Sequence, residues 1–309
     1  KLFLTGGTGF FGRSFLDLFL IFAPSYNINL TVLSRNPDTF LRQFPRYLCP
    51  QITFIKGDIL NFNYPSETFD YCLHFATPAD AELNIEQPNV MRAIIISGMK
   101  HMLGFAEKAK IKKFLFTSSG AVYGPQPSNL THVKETYVGH FAKPDAYGQT
   151  KLLAEEMGCD HAKLHDYEFK IARCFAFTGK HLNPNGTFAI ANFIRDASNK
   201  KNIEIRGDGT PYRSYLYSDD LIVWLLKILS SGNNGEPYNV GSDDDLNIAT
   251  LAKTVNGVLN PSGQISILQK LDPLHPVARY VPSIDKARFE LGLEVWTSLE
   301  EAIALSVPM

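Results

Sequence analysis

The sequence predicts an α/β fold built on a doubly wound parallel sheet, and three observations carry that expectation. The chain opens on a strand, a glycine turn and a helix in immediate succession, KLFLTGGTGFFG. Apolar runs of strand length then alternate with stretches of helical periodicity as far as Thr117. The fifth such run ends on hydroxyls, Ser118-Ser119, at the carboxyl end of a strand, where ligands of such sheets bind.

Lys1–Leu4 reads as a buried parallel strand. Thr5-Gly6-Gly7-Thr8-Gly9 is a tight turn, and from Gly12 onward Phe15, Leu16, Leu18, Phe19 and Phe22 form an apolar helical stripe. This is the local signature of a dinucleotide site. Gly6 permits the turn, Gly9 lets backbone approach a pyrophosphate, and Gly12 lets helix pack on strand. The N–H groups of Phe10, Phe11 and Gly12 stand at the helix start, where the dipole favours phosphate.

Asn29–Ser34 reads as the second strand, and its end is expected near the adenosine ribose. An acidic side chain there would bind the 2′-hydroxyl of NAD; Ser34-Arg35-Asn36 instead suits a 2′-phosphate, so the expected cofactor is NAD(P) with NADP favoured. Further strands are expected at Ile52–Ile55, Tyr71–Phe75 and Lys113–Thr117, and a helix at Met91–Ala109. The third and fourth strands are followed by Asp58-Ile59 and Ala76-Thr77, and Ala76 and Thr77 are counted in the expected cofactor site.

A helix is expected from Ala146, with Tyr147 and Lys151 at i and i+4 on one face. A phenol is a poor base at neutral pH, its ordinary pKa being about 10. An adjacent ammonium and a positive nicotinamide ring favour the phenolate, which can then take a proton from a sugar hydroxyl while hydride leaves the carbon. Ser119 can hold the same hydroxyl.

Composition narrows the partners. A net charge of -1 offers no footprint for nucleic acid or an anionic membrane, and no apolar run is long enough to span a bilayer. No signal peptide is visible, and since the chain starts at Lys1 a few leading residues are expected to be missing. Cys49, Cys72, Cys159 and Cys174 lack metal-ligand spacing, which fits a reduced, cytoplasmic protein, with Cys72 and Cys174 as core thiols. No metal site is expected; His161 and His165, at i and i+4, read as a solvated helix face.

Together TGGTGFFG, FTSSGAVYG, YGQTK, GDGTPYRSYLYSDD and DKARFELGLEVWTSLEEA resemble an extended short-chain dehydrogenase/reductase of the nucleotide-sugar epimerase/dehydratase family, over essentially the whole chain. The resemblance implies a Rossmann domain over residues 1–174 with a returning segment at about 214–245. It further implies a smaller mixed α/β substrate domain over about 175–213 and 246–309. By position, Tyr147 is the general acid/base, Lys151 its partner and Ser119 the hydroxyl-binding residue. Asp58 and Ile59 flank the adenine, and Arg213 meets the diphosphate of a nucleotide-diphosphate sugar. Tyr123 and Asn192 are expected to line the sugar pocket. Where the family usually shows R-x-x-N-x-Y-G-P, this chain has Ala176, Thr178 and Lys180. A homodimer is implied through the helices at Met91–Ala109 and Ala146–Ala162, whose apolar residues include Ile94, Ile95, Met99, Met102, Leu103, Leu152 and Leu153.

Four reactions share this constellation. A dehydratase of this family typically carries Asp-Glu after the strand-five hydroxyl; here those positions are Gly120 and Ala121, which move no proton. A decarboxylase needs a recognisable partner for a uronate carboxylate, and none stands out. An epimerase working through a 4-keto sugar ranks first and an NADPH-dependent ketoreductase second. A cofactor sensor without turnover is the non-enzymatic alternative, and it would be expected to lose Tyr147 or Lys151.

Overall fold

The computed structural model describes residues 1–77, 81–139, 146–272 and 276–307. The chain divides into two compact units: residues 1–122, 142–173 and 225–238, and residues 123–141, 174–224 and 239–309. Residues 123–141, 174, 214–224 and 239–245, expected with the first domain, cluster with the second unit.

The first unit is a Rossmann-type α/β layer. Its strands are β1 (Leu2–Thr5), β2 (Leu30–Ser34), β3 (Ile52–Lys56), β4 (Tyr71–His74), β5 (Lys113–Ser119) and β6 (Glu168–Cys174). With the strand Pro237–Val240 they form a seven-stranded sheet in the order Pro237–Val240, β6, β5, β4, β1, β2, β3. The pairings of β1 with β2 and β4, β2 with β3, and β4 with β5 are parallel. Residues Leu2–Thr5 and Leu30–Ser34 are buried throughout, as strands covered on both faces must be. Tyr238–Val240 returns to this sheet as expected.

Among the described residues, the helices that lie wholly in this unit are α1 (Phe10–Phe22), α2 (Pro37–Gln43), α3 (Ala81–Glu86), α4 (Pro88–Lys108) and α5 (Ala146–His165). The first helix begins at Phe10, two residues before Gly12, with Gly9 as its cap. Its buried side is Gly12, Ser14, Phe15, Leu16 and Phe19; Phe22, expected in the stripe, is exposed at the helix end. The core is aromatic: the Phe3 ring lies 4.3 Å from Phe105 and 5.2 Å from Phe69 between centroids, within the range of favourable aromatic packing. Cys72 and Cys174 are buried and all four cysteines are free.

Of the seven apolar residues on these two helices, Ile95, Met99, Met102 and Leu103 are buried inside the chain. Ile94 and Leu152 are half-buried and Leu153 is exposed.

In the second unit, the helices Ala189–Ser198 and Ile248–Leu259 pack Ile190, Phe193 and Ile194 against Leu251, Ala252 and Val255. Asn247 caps the latter helix, its Oδ1 accepting from Thr250 N at 2.7 Å. The helix Ser218–Ser231 begins in this unit, and its residues from 225 onward belong to the first. The strand Tyr212–Arg213 pairs antiparallel with Leu246–Asn247 and parallel with Arg279–Tyr280.

Candidate active site

The glycine turn closes against the end of β4. Gly6 has φ +72°, and a Cβ there would sit 2.7 Å from Ala76 N, so only glycine satisfies both the left-handed backbone and the close approach. A Cβ on Gly12 would lie 2.3 Å from Gly6 O and from Gly7 Cα. Thr5 ties the two strand ends: its Oγ1 accepts from Ala76 N at 3.1 Å and meets His74 Nδ1 at 2.7 Å. Burial, helped by the Lys151 ammonium, pushes His74 down to about 3. The imidazole is therefore neutral near pH 7, and a single proton is shared between its Nδ1 and Thr5 Oγ1.

This cradle fits a dinucleotide. Arg13 N to Gly9 O is the first backbone bond into α1, and a helix's first N–H groups have no intrahelical acceptor. No side chain caps the helix at Gly9. One residue past Gly12, the buried Nε of Arg13 has no hydrogen-bond partner among the described residues, and its guanidinium lies 4.1 Å over the Phe44 ring. Arg13 escaped sequence reasoning, although a cation in the first turn after the glycines was visible there.

Ser34 is buried, its Oγ accepting from Asn36 N at 3.3 Å. Arg35 and Asn36 are exposed beside it, and Arg35 makes no ion pair or hydrogen bond with another described residue. Asp58 accepts from Leu60 N at 3.0 Å, turning the chain after β3, and Ile59 packs against α4 at Gly98. Phe11 meets Phe75 edge-on, with Phe10 beside it. These residues, with Ala76 and Thr77, belong to the same unit and gather at the strand ends.

Lys151 is 1 % exposed. An isolated buried ammonium is costly, and here it donates to Thr117 O at 2.7 Å and to Thr77 Oγ1 at 3.0 Å. It also lies 4.5 Å over the Phe116 ring and 5.7 Å from the centroid of Tyr147, where cation–π attraction operates. Tyr147 is half-buried at the start of α5, its backbone N–H donating to Asn84 Oδ1 at 3.0 Å. Ser119, at the tip of β5, accepts from Ala121 N at 3.2 Å. The expected triad thus lies on one helix start and one strand tip of the first unit.

A further group holds that helix. Glu155, one turn beyond Lys151, accepts from Arg173 Nη2 at 2.7 Å and Nε at 3.1 Å, and from the Ser118 hydroxyl. Both partners of the ion pair are buried, at 5 % and 10 % side-chain exposure. Sequence reasoning missed Glu155; its signal was a third position, i+8, on the face shared by Tyr147 and Lys151.

In the second unit a cavity of about 750 Å³ is lined by Asn192, Arg195, Lys201, Arg206, Arg213 and Tyr280 among others. Arg213 donates from Nη1 to Tyr212 O at 2.7 Å and lies 5.9 Å from the Tyr280 ring. Asn192 donates to Gly186 O at 3.2 Å and accepts from Arg195 Nη1 at 3.3 Å. Ala176 is on the cavity wall, where the family's usual Asn would offer an amide, and the Thr178 hydroxyl meets Ser306 Oγ at 3.1 Å. Arg195 and Arg206 were not anticipated. Tyr123, expected at the sugar pocket, is 2 % exposed, its hydroxyl donates to Asn239 Oδ1 at 2.8 Å, and it is not among the residues lining this cavity. A buried phenol needs such a partner, which makes Tyr123 a core residue.

A model of the NAD dependent epimerase/dehydratase family matches residues 2–241. UDP-glucuronic acid decarboxylase 3 of Arabidopsis thaliana is 27% identical, over 99% of this chain and 87% of its own length. UDP-glucuronic acid decarboxylase 1 of Xenopus tropicalis is 26% identical, over 98% of this chain and 70% of its own. In structure the chain is similar to UDP-glucose 4-epimerase of Thermotoga maritima with UDP-glucose, at TM-score 0.83 and 22% identity, covering 99% and 97% of the two chains. It is also similar to UDP-N-acetylglucosamine 4-epimerase of Methanobrevibacter ruminantium, at TM-score 0.85 and 20% identity, covering 99% and 96%. At these identities the two structures speak for the fold.

Proposed function

This chain belongs to the NAD dependent epimerase/dehydratase family, and on that premise we propose that it is a nucleotide-sugar epimerase, oxidising a C4 hydroxyl to a ketone and reducing the same carbon from the opposite face. The observation that carries this reading is the buried Lys151 ammonium, held by Thr117 O and Thr77 Oγ1 beside the Tyr147 ring.

Tyr147 takes the hydroxyl proton and later gives it back, with Lys151 favouring its phenolate form. Ser119 holds the reacting oxygen. Gly6, Gly9, Phe10, Phe11 and Gly12 cradle the pyrophosphate, Asp58 and Ile59 meet the adenine, and Ala76 and Thr77 the nicotinamide side. The nicotinamide, when bound, supplies reversible hydride transfer. Arg213, with Arg195 and Arg206, meets the sugar nucleotide's diphosphate, since guanidinium binds phosphate bidentately. Gly120 and Ala121 carry no acid or base, which speaks against elimination of water.

A decarboxylase is the second reading, favoured by the UDP-glucuronic acid decarboxylases among the relatives; it would share the first oxidation. The test is incubation with UDP-glucose, UDP-N-acetylglucosamine and UDP-glucuronic acid, followed by mass spectrometry and NMR of the products. An epimer of unchanged mass is expected. Release of carbon dioxide from the uronate selects the second reading, and net consumption of NADPH on a keto sugar selects a reductase. Tight cofactor binding without turnover of any nucleotide sugar sinks the enzymatic proposal.

Arg35 is proposed to favour NADP by facing the 2′-phosphate. Arg35→Asp should weaken NADP by about tenfold or more, the loss of a charge-assisted contact worth roughly 1.5–3 kcal/mol, and leave NAD unharmed or tighter. Titration of both cofactors reads this, and an unchanged NADP/NAD affinity ratio makes Arg35 a bystander.

A further inference from the structure

The last turns of α4 and α5 bring together a donor set that the reaction does not use. His161 and His165 stand at i and i+4, their rings stacked at 4.1 Å between centroids. Glu107, near the end of α4, reaches His165 Nδ1 at 3.6 Å through Oε1. One ligand atom from each of the three lies within 4.8 Å of the others. The pair read from sequence as a solvated face is half-buried instead, because the ring of His161 lies against Tyr167 and that of His165 against Glu107.

We propose that Glu107, His161 and His165 form a site for a first-row divalent transition metal, zinc above all, joining the C-terminal ends of α4 and α5. Two imidazoles one helical turn apart chelate a single ion, and a carboxylate from a second element completes three protein ligands with one position left to water. Imidazole nitrogen selects zinc, cobalt, nickel or copper over magnesium and calcium, which prefer all-oxygen shells. The orienting contact such a site needs is present: Tyr167 Oη meets His161 Nδ1 at 3.1 Å, and Tyr167 itself is buried. With the Nδ1 proton donated to that oxygen, Nε2 carries the lone pair for the metal. Neither histidine contacts the cradle or the Tyr147–Lys151 pair among the described hydrogen bonds. The bound ion would therefore act as a staple between helices, lending its binding free energy to the folded unit.

The experiment uses tag-free full chain stripped with a chelator and dialysed. Zinc is followed by titration calorimetry, cobalt by its visible absorption, and thermal unfolding is recorded with and without zinc. One equivalent of zinc per chain, a tetrahedral cobalt spectrum and a raised unfolding midpoint are expected. His165→Ala and Glu107→Gln should each weaken zinc by about tenfold or more, and Tyr167→Phe by roughly 10–100-fold through the lost orienting bond. Glu107 is 55 % exposed, so its amide variant keeps the test valid if a histidine variant folds poorly. Absence of saturable zinc binding below millimolar concentration, or affinity unchanged in both ligand variants, overturns the proposal.

Discussion

Replacing Tyr147 by Phe is expected to slow turnover by about 10²–10⁴-fold, the usual worth of a positioned acid–base group, while cofactor and nucleotide sugar still bind. Only the phenolic oxygen is removed, and the ring stays near the Lys151 ammonium. Lys151→Met should cost more than rate. Its ammonium is held by Thr117 O and Thr77 Oγ1, so its loss leaves two acceptors without their donor in the same unit as the proposed cofactor cradle. Ser119→Ala should cost least, because the proton path through Tyr147 survives. The readout is reduced-cofactor absorbance in a single turnover with a nucleotide sugar. Parent-rate turnover by Tyr147→Phe would end the claim that this phenol moves the proton.

Glu155→Ala should destabilise the first unit by about 3–5 kcal/mol, because it leaves the Arg173 guanidinium buried without its counter-charge. The Ser118 hydroxyl loses its acceptor in the same step. Urea unfolding of the full chain measures the loss. Pairing Glu155→Leu with Arg173→Met removes both charges and should recover most of it, since a buried pair is worth little net of its desolvation. A Glu155→Ala chain within about 0.5 kcal/mol of the parent, the range of a neutral surface change, would show that the ion pair does not hold α5 in place. Turnover should fall along with stability, because α5 carries both Tyr147 and Lys151.

The sheet, the glycine turn and the Tyr147–Lys151 pair were legible because each is written in short-range spacing. Gly6, Gly9 and Gly12 act within one turn, strand and helix periods are local, and i,i+4 neighbours share a face whatever surrounds them. Such spacing says which residues share a face, but not which other element is laid against it, and the tertiary structure alone decided that. It chose Ile95, Met99, Met102 and Leu103 for the chain's own core, where the sequence did not say which helix face would cover the sheet. It buried Tyr123 against Asn239, 116 positions away in the chain. It enclosed Lys151 between Thr77 and Thr117, and it turned Glu155 from one more helix carboxylate into the counter-charge of Arg173. It also set Glu107 beside two histidines that the helix period alone assigned to solvent. Each of these depends on the free energy of burying a polar group or an apolar face, which is settled only when distant segments meet.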